Sequence, residues 1–153
     1  MVVGVLNAQR STLHGAGNKG PPNMATPENT FIASVHRHLP VDLYWMKNHN
    51  QYNGGIADCW YSGPAGDLWV EYKFIVIPKR DDTIIKIELS ELQKEWLTSR
   101  HAEGRTVAVI VGAKEGGAMF FGTDWAPEIN ARLFRKMVLS RTELAIRIKA
   151  TVY

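Results

Sequence analysis

The chain has 153 residues, 45% of them apolar and 22% charged, an ordinary balance for a globular protein with one core. No apolar run reaches the roughly 18 residues of a membrane span, and the lone cysteine, Cys59, excludes an intrachain disulfide and fits a reducing cytoplasm. A formal charge of +3 and an isoelectric point near 9.1 lean toward an anionic partner without naming one.

Residues 1–25 hold four glycines and two adjacent prolines and are expected to form an irregular arm. Their opening stretch, MVVGVLNAQRSTLHGAGNKG, has too few clustered apolar residues to read as a signal peptide. Residues 26–153 show no repeat and no interior linker, so a single domain is expected there, with a basic helical part at 123–153. Thr26-Pro27-Glu28 reads as a helix start, Thr26 capping and Pro27 in the first turn. Phe31, Val35 and Leu39 follow at spacings of four, and Pro40 stops the helix.

Strands are predicted over 42–48, 56–61 and 68–77, joined by the turn signals HNQYNGG and SGPAGD. The next segment, PKRDDTIIKIEL, fits either a polar loop or a hairpin extension. Ser90-Glu91-Leu92-Gln93 is a capping box opening a helix that ends near Gly104, with Leu89, Leu92 and Trp96 as its inward face. Thr106–Val111 is continuously apolar, as a strand covered on both faces would be, and Ala118–Gly122 is its expected hairpin partner. The remainder reads as helical, with a second capping box at Ser140–Glu143. The predicted order is α-β-β-β-α-β-β-α, a mixed α/β or α+β fold.

Chemistry concentrates on the middle strands. Glu71 and Lys73 lie two apart on a strand, so both leave one face, while Val70, Tyr72 and Phe74 take the other. A solvated ion pair would explain them alone. Asp58 changes the balance, because the hairpin can bring it beside Glu71, provided the 62–67 turn sets the right register. Two facing carboxylates repel unless a cation joins them, and oxygen ligands of this kind suit Mg²⁺ or Mn²⁺ acting on a phosphodiester. Lys73 would then orient or deprotonate a water, or stabilise transition-state charge.

Four motifs occur in order: Gly55-Ile56-Ala57-Asp58; Glu71-Tyr72-Lys73; Leu89-Ser90-Glu91-Leu92-Gln93-Lys94-Glu95-Trp96; and Gly104-Arg105-Thr106-Val107-Ala108-Val109. This succession resembles the PD-(D/E)xK nuclease superfamily, and most nearly the virus-type replication-repair nucleases and their Holliday-junction-resolvase-like relatives. It spans residues 26–112, and Ala57 stands where the family usually has proline. The resemblance implies a restriction-endonuclease-like core with a central mixed sheet flanked by helices. It also implies a third acidic metal ligand at Glu28, on the helix before the sheet, and an active-site glutamine at Gln93. Branched or junction DNA is the implied substrate, and a homodimer would supply the two active sites that cutting two strands requires.

Other readings stay open. A sequence-specific double-strand cutter of homing or restriction type shares the same core, and so would a non-catalytic nucleic-acid-binding module. Contacts to the phosphate backbone are expected from Lys47, Lys79, Arg80, Arg132, Arg135 and Lys136. Glu28 at a helix start and Gln93 in a capping box also have purely structural explanations. Cys59 reads as a buried small hydrophobe, and the histidines lack zinc-site spacing. The tryptophans are mostly core by pattern, with one or two available to stack on unpaired bases. The expected setting is intracellular and cytoplasmic, a phage protein acting in its host's cytoplasm included.

Overall fold

A computed structural model describes residues 25–49 and 54–153. The expected N-terminal arm, apart from residue 25, and the Asn53 half of the first turn lie outside these residues. The elements run α1 (Pro27–His36), β1 (Tyr44–Lys47), β2 (Cys59–Gly63), β3 (Gly66–Phe74), β4 (Ile84–Ile85), α2 (Glu91–Ala102), β5 (Val107–Ala113), β6 (Gly116–Phe121), β7 (Ile129–Asn130), α3 (Ala131–Met137) and α4 (Arg141–Val152). This is the mixed α+β order predicted from sequence, enlarged by one short sheet and one helix. None of the described helices is long and apolar enough to cross a membrane.

The main sheet has the order β1-β2-β3-β5-β6, antiparallel throughout except for the parallel β3–β5 pair. Parallel pairing demands a crossover, which α2 provides. One face packs on α1 and α4 through Phe31, Val35, Tyr61, Tyr72, Ile110 and Leu144. The other packs on α2, α3 and the β4–β7 pair through Leu97, Val109, Val111, Phe120 and Phe134. Every residue of β5 is buried, as its unbroken apolar run requires. Gly112 and Gly117 pair across β5 and β6 and make room for Phe31, whose ring would lie 2.5 Å from a Cβ at Gly112.

Several boundaries differ from expectation for physical reasons. The 62–67 turn is tighter than its composition implies: Ser62 pairs with Asp67 and Gly63 with Gly66, leaving only Pro64 and Ala65 as loop. Ser62 Oγ donates to Asp67 at 2.6 Å, and the Ala65 N–H donates to the Val152 carbonyl at 2.8 Å, docking the end of α4 on this hairpin. The ambiguous segment 78–89 is neither a pure loop nor an extension of β3. Its β4 leaves the main sheet and pairs with β7, Ile84 opposite Asn130 and Ile85 opposite Ile129. The helical remainder divides in two, each part with its own cap, Asn130 for α3 and Ser140 for α4.

The inward face of α2 needs correction. Leu89 and Trp96 pack inward as expected and are joined by the buried Leu97, whereas Leu92 is 57% exposed. Leu92 is turned instead toward the glycine loop ahead of β2, its Cδ1 2.9 Å from where a Gly54 Cβ would stand. That rotation places Gln93 against the sheet.

Candidate active site

The register of β2 and β3 brings the chemistry together. Cys59 pairs with Val70, so one further step sets Asp58 opposite Glu71 on the same face. Asp58 lies just before β2, and its side chain takes the place of a ladder acceptor: the Tyr72 N–H donates to Asp58 Oδ2 at 2.8 Å. Its own carbonyl accepts from the Asn48 N–H at 2.7 Å. The loop leading to it is pinned at Gly55, with φ +93, where a Cβ would meet the Leu92 carbonyl oxygen at 2.5 Å. A side chain there would push the Asp58 loop off α2, the physical reason for glycine at this point of the motif.

Glu71 is 2% exposed, the one polar or charged side chain in the described core. Its Oε1 accepts from Gln93 Nε2 at 2.7 Å and is ion-paired to Lys73 Nζ at 3.3 Å. Gln93 makes two contacts at once, since its Oε1 also accepts from the Ser90 N–H at 2.9 Å to complete the capping box. The other oxygen of Glu71, Oε2, is buried and has no hydrogen-bond partner. Burial, then the neighbouring Asp58, push Glu71 up to about 8, against the opposing charge of Lys73. Asp58 is also raised, by burial, although the Tyr72 N–H and the charges of Lys73 and Lys47 favour its charged form.

Glu28, on the first turn of α1, reaches the same region. Its carboxyl is raised by burial and then by Asp58, and lowered by Lys73 and Lys47. Lys47, at the end of β1, is nearer the centre than a peripheral phosphate contact would be: its Nζ donates to Asn29 Oδ1, next to Glu28. The Lys47–Asn29 bond thus ties α1, which carries Glu28, to the strand neighbouring Asp58. Sequence spacing gave no signal for this tie, which joins positions 18 residues apart. An open cleft of about 290 Å³, lined by Thr26, Pro27, Glu28 and Phe74, lies at this end of the sheet.

Three carboxyls therefore share a poorly solvated region with two lysines. Among the described residues, no three His, Cys, Asp or Glu side chains stand close enough together to hold a metal ion as a preformed cage. The Asp58–Glu71 pair nevertheless fits a hard cation: Mg²⁺ commonly takes one or two carboxylates and completes its shell with waters and phosphate oxygens. The partnerless Oε2 of Glu71 is an acceptor that such an ion would satisfy.

The remaining basic candidates are gathered by α3. The Ala131 and Arg132 N–H groups donate to the Thr83 and Asp81 carbonyls, at 2.9 and 3.1 Å. Arg135 pairs with Asp81 at 2.6 Å and donates to the Pro78 carbonyl. Lys79 and Arg80 are thereby held alongside Arg132 and Lys136, all exposed. Arg135 is committed to this clamp, and Arg80 shares its charge with Asp82 at 3.1 Å. Farther along, Arg141 is structural, bonded to Ser34 at 2.8 Å and lying over the Phe31 ring. Cys59 is buried on the opposite face, and burial pushes its thiol up to about 12, out of nucleophilic range.

No protein-family model matches the chain, and no curated protein does. Among solved structures, the chain is similar to a Holliday junction resolvase, Hjc, from the archaeal hyperthermophile Archaeoglobus fulgidus. The likeness has a TM-score of 0.45 at 14% identity and covers 77% of this chain and 99% of the resolvase.

Proposed function

We propose that this protein is a divalent-metal-dependent DNA endonuclease that hydrolyses phosphodiester bonds, with branched or junction DNA as its substrate. The observation that carries the reading is Glu71: a buried carboxylate beside Asp58, one oxygen bound by Gln93 and Lys73 and the other without a partner. A core has no structural use for such a group. Charge buried at this cost, with neighbours that push its pKa upward, is characteristic of functional sites.

In this reading Asp58 and Glu71 hold Mg²⁺ or Mn²⁺, with Glu28 completing the acidic rim. When bound, the ion polarises the phosphodiester and makes a water a better nucleophile. The residues of the chain prepare for that. The Tyr72 N–H aims Asp58, and Gln93 holds Oε1 of the Glu71 carboxylate, leaving Oε2 as the acceptor without a partner. An ammonium ion-paired at 3.3 Å donates rather than accepts, so Lys73 is assigned to stabilising charge on the phosphate. Lys79, Arg80, Arg132 and Lys136 bind the backbone of a DNA arm, while Arg135 holds the loop that presents two of them. Two copies would cut the two strands of a junction. The junction preference rests on the motif resemblance.

The test is cleavage of four-way junction, flap, single-stranded and linear duplex DNA with Mg²⁺ or Mn²⁺. Wild-type protein should cut the junction irrespective of its arm sequence. Glu71→Ala and Lys73→Ala should each lower the rate by about 100-fold or more while retaining DNA binding. Cleavage that survives EDTA, or full activity in both variants, contradicts the metal mechanism. A unique cut in linear duplex replaces junction cleavage with sequence-specific cleavage, and binding without cleavage anywhere leaves a non-catalytic module.

A further inference from the structure

On the catalytic face, the two outer strands carry rings that the helices leave uncovered. Met46 pairs with Trp60 and Trp60 with Trp69, so these side chains share the face of Asp58 and Glu71, as does Tyr44 opposite Ser62. The rings touch in sequence: Tyr44 edge-on to Trp60 at 5.5 Å, Trp60 stacked on Trp69 at 5.7 Å, and Trp69 edge-on to Trp96 of α2 at 5.5 Å. The inner end of this row is covered by α2. At its outer end Tyr44 and Met46 are each 44% exposed. Edge strands ordinarily carry charge at such positions.

The row runs straight into the site. Trp60 is two residues from Asp58 on the same chain segment, and Trp69 two from Glu71, roughly 7 Å in each case at the rise of a strand. A polynucleotide whose phosphate lies at those carboxylates must lay its neighbouring nucleotides over adjoining surface, and on this side that surface is aromatic and apolar. Lys73, two residues beyond Glu71 on the same face and ion-paired to it at 3.3 Å, puts positive charge where the row meets the carboxylates, whereas Lys47 pairs with Cys59 and leaves the other face. Rings beside a cation form the usual platform for unpaired bases, because every base offers a π-face. Paired bases keep their faces inside the stack and could not use it.

Resting on the endonuclease reading, we propose that Tyr44, Met46 and Trp60 form a stacking platform for unpaired bases next to the scissile phosphate. The enzyme then selects substrates whose strands are open at the cut, as at a junction centre or a flap, rather than intact duplex.

Two substrates with one sequence and one scissile phosphate test this, one fully paired and one carrying unpaired nucleotides beside the cut. Wild-type kcat/KM should favour the open substrate by about tenfold or more. In a Tyr44→Ala/Met46→Ala double variant that ratio should fall toward one, and Tyr44→Phe, which keeps a ring, should restore it. Without added metal, a short oligothymidylate should quench the tryptophan fluorescence of the wild type and quench the double variant less. Equal cleavage of both substrates by the wild type overturns the platform and leaves the nuclease reading intact. Quenching with no cleavage of either substrate does the reverse. If the double variant turns a dimer into a monomer by sedimentation while the substrate ratio persists, the surface is a subunit contact and the proposal falls.

Discussion

Gln93 separates two roles that one side chain performs at once. Its carbonyl oxygen closes the α2 cap on Ser90, and its amide nitrogen holds Glu71 Oε1. A glutamate at the same position also closes a capping box, but it brings a carboxylate against a buried carboxylate. Gln93→Glu should therefore keep the α2 cap but lower overall stability by about 1–3 kcal/mol, because the donor to the buried Glu71 Oε1 is lost. Cleavage should fall by about 10- to 100-fold, since the orientation of Glu71 is lost. Unchanged cleavage with the folded state intact would reduce Gln93 to a cap. Nothing in the spacing S-x-x-Q distinguishes the two roles, because the amide donor reaches Glu71 across 22 residues of sequence.

Among the elements, the β2–β3 hairpin decides whether a site exists. Ser62-Gly63-Pro64-Ala65-Gly66-Asp67 permits several loop lengths by composition, so sequence leaves the facing of Asp58 and Glu71 conditional. The two-residue loop and the Ser62–Asp67 hydrogen bond select the productive register. A slip of one residue would turn Asp58 onto the face that holds Tyr61 and Tyr72. Helix α2 was legible in its caps but not in its rotation: Leu92 is apolar yet faces the glycine loop, and local periodicity cannot register that tertiary contact. Helix α1 carries a further device at its end. His36 Nε2 meets the Tyr61 hydroxyl at 2.7 Å, that hydroxyl meets Tyr72 at 2.7 Å, and Trp45 packs on the imidazole. Burial, then the charge of Lys47, lower His36 from 6.5 to about 4. A histidine depressed in the folded state contributes stability that is present above pH 6.5 and lost as pH falls through 4. Denaturation measured at pH 7, 6 and 5 should thus show wild type losing stability relative to His36→Gln, by up to about 1.4 kcal/mol per pH unit. Parallel curves for the two proteins would mean that His36 does not bear this load.

For the whole molecule, the main order of elements and the grouping of Asp58, Glu71, Lys73 and Gln93 as a candidate site were readable because they depend on local pattern and ordered motifs. The β4–β7 pair was not, since two-residue strands 44 positions apart leave no periodicity to detect. Nor was the gathering of Lys79 and Arg80 with Arg132 and Lys136, which depends on Arg135 reaching Asp81 and Pro78. The same long-range packing puts α1, β1, β2, β3 and α2 around one orphaned carboxylate oxygen. A single measurement bears most directly on that convergence: Mn²⁺ binding, followed by electron paramagnetic resonance in the presence of a cleavage-resistant junction DNA. Wild-type protein should bind the ion in the complex, and Glu71→Ala and Asp58→Ala should each weaken that binding by about tenfold or more. Binding of equal strength in both variants would contradict the assignment of Asp58 and Glu71 as the metal site.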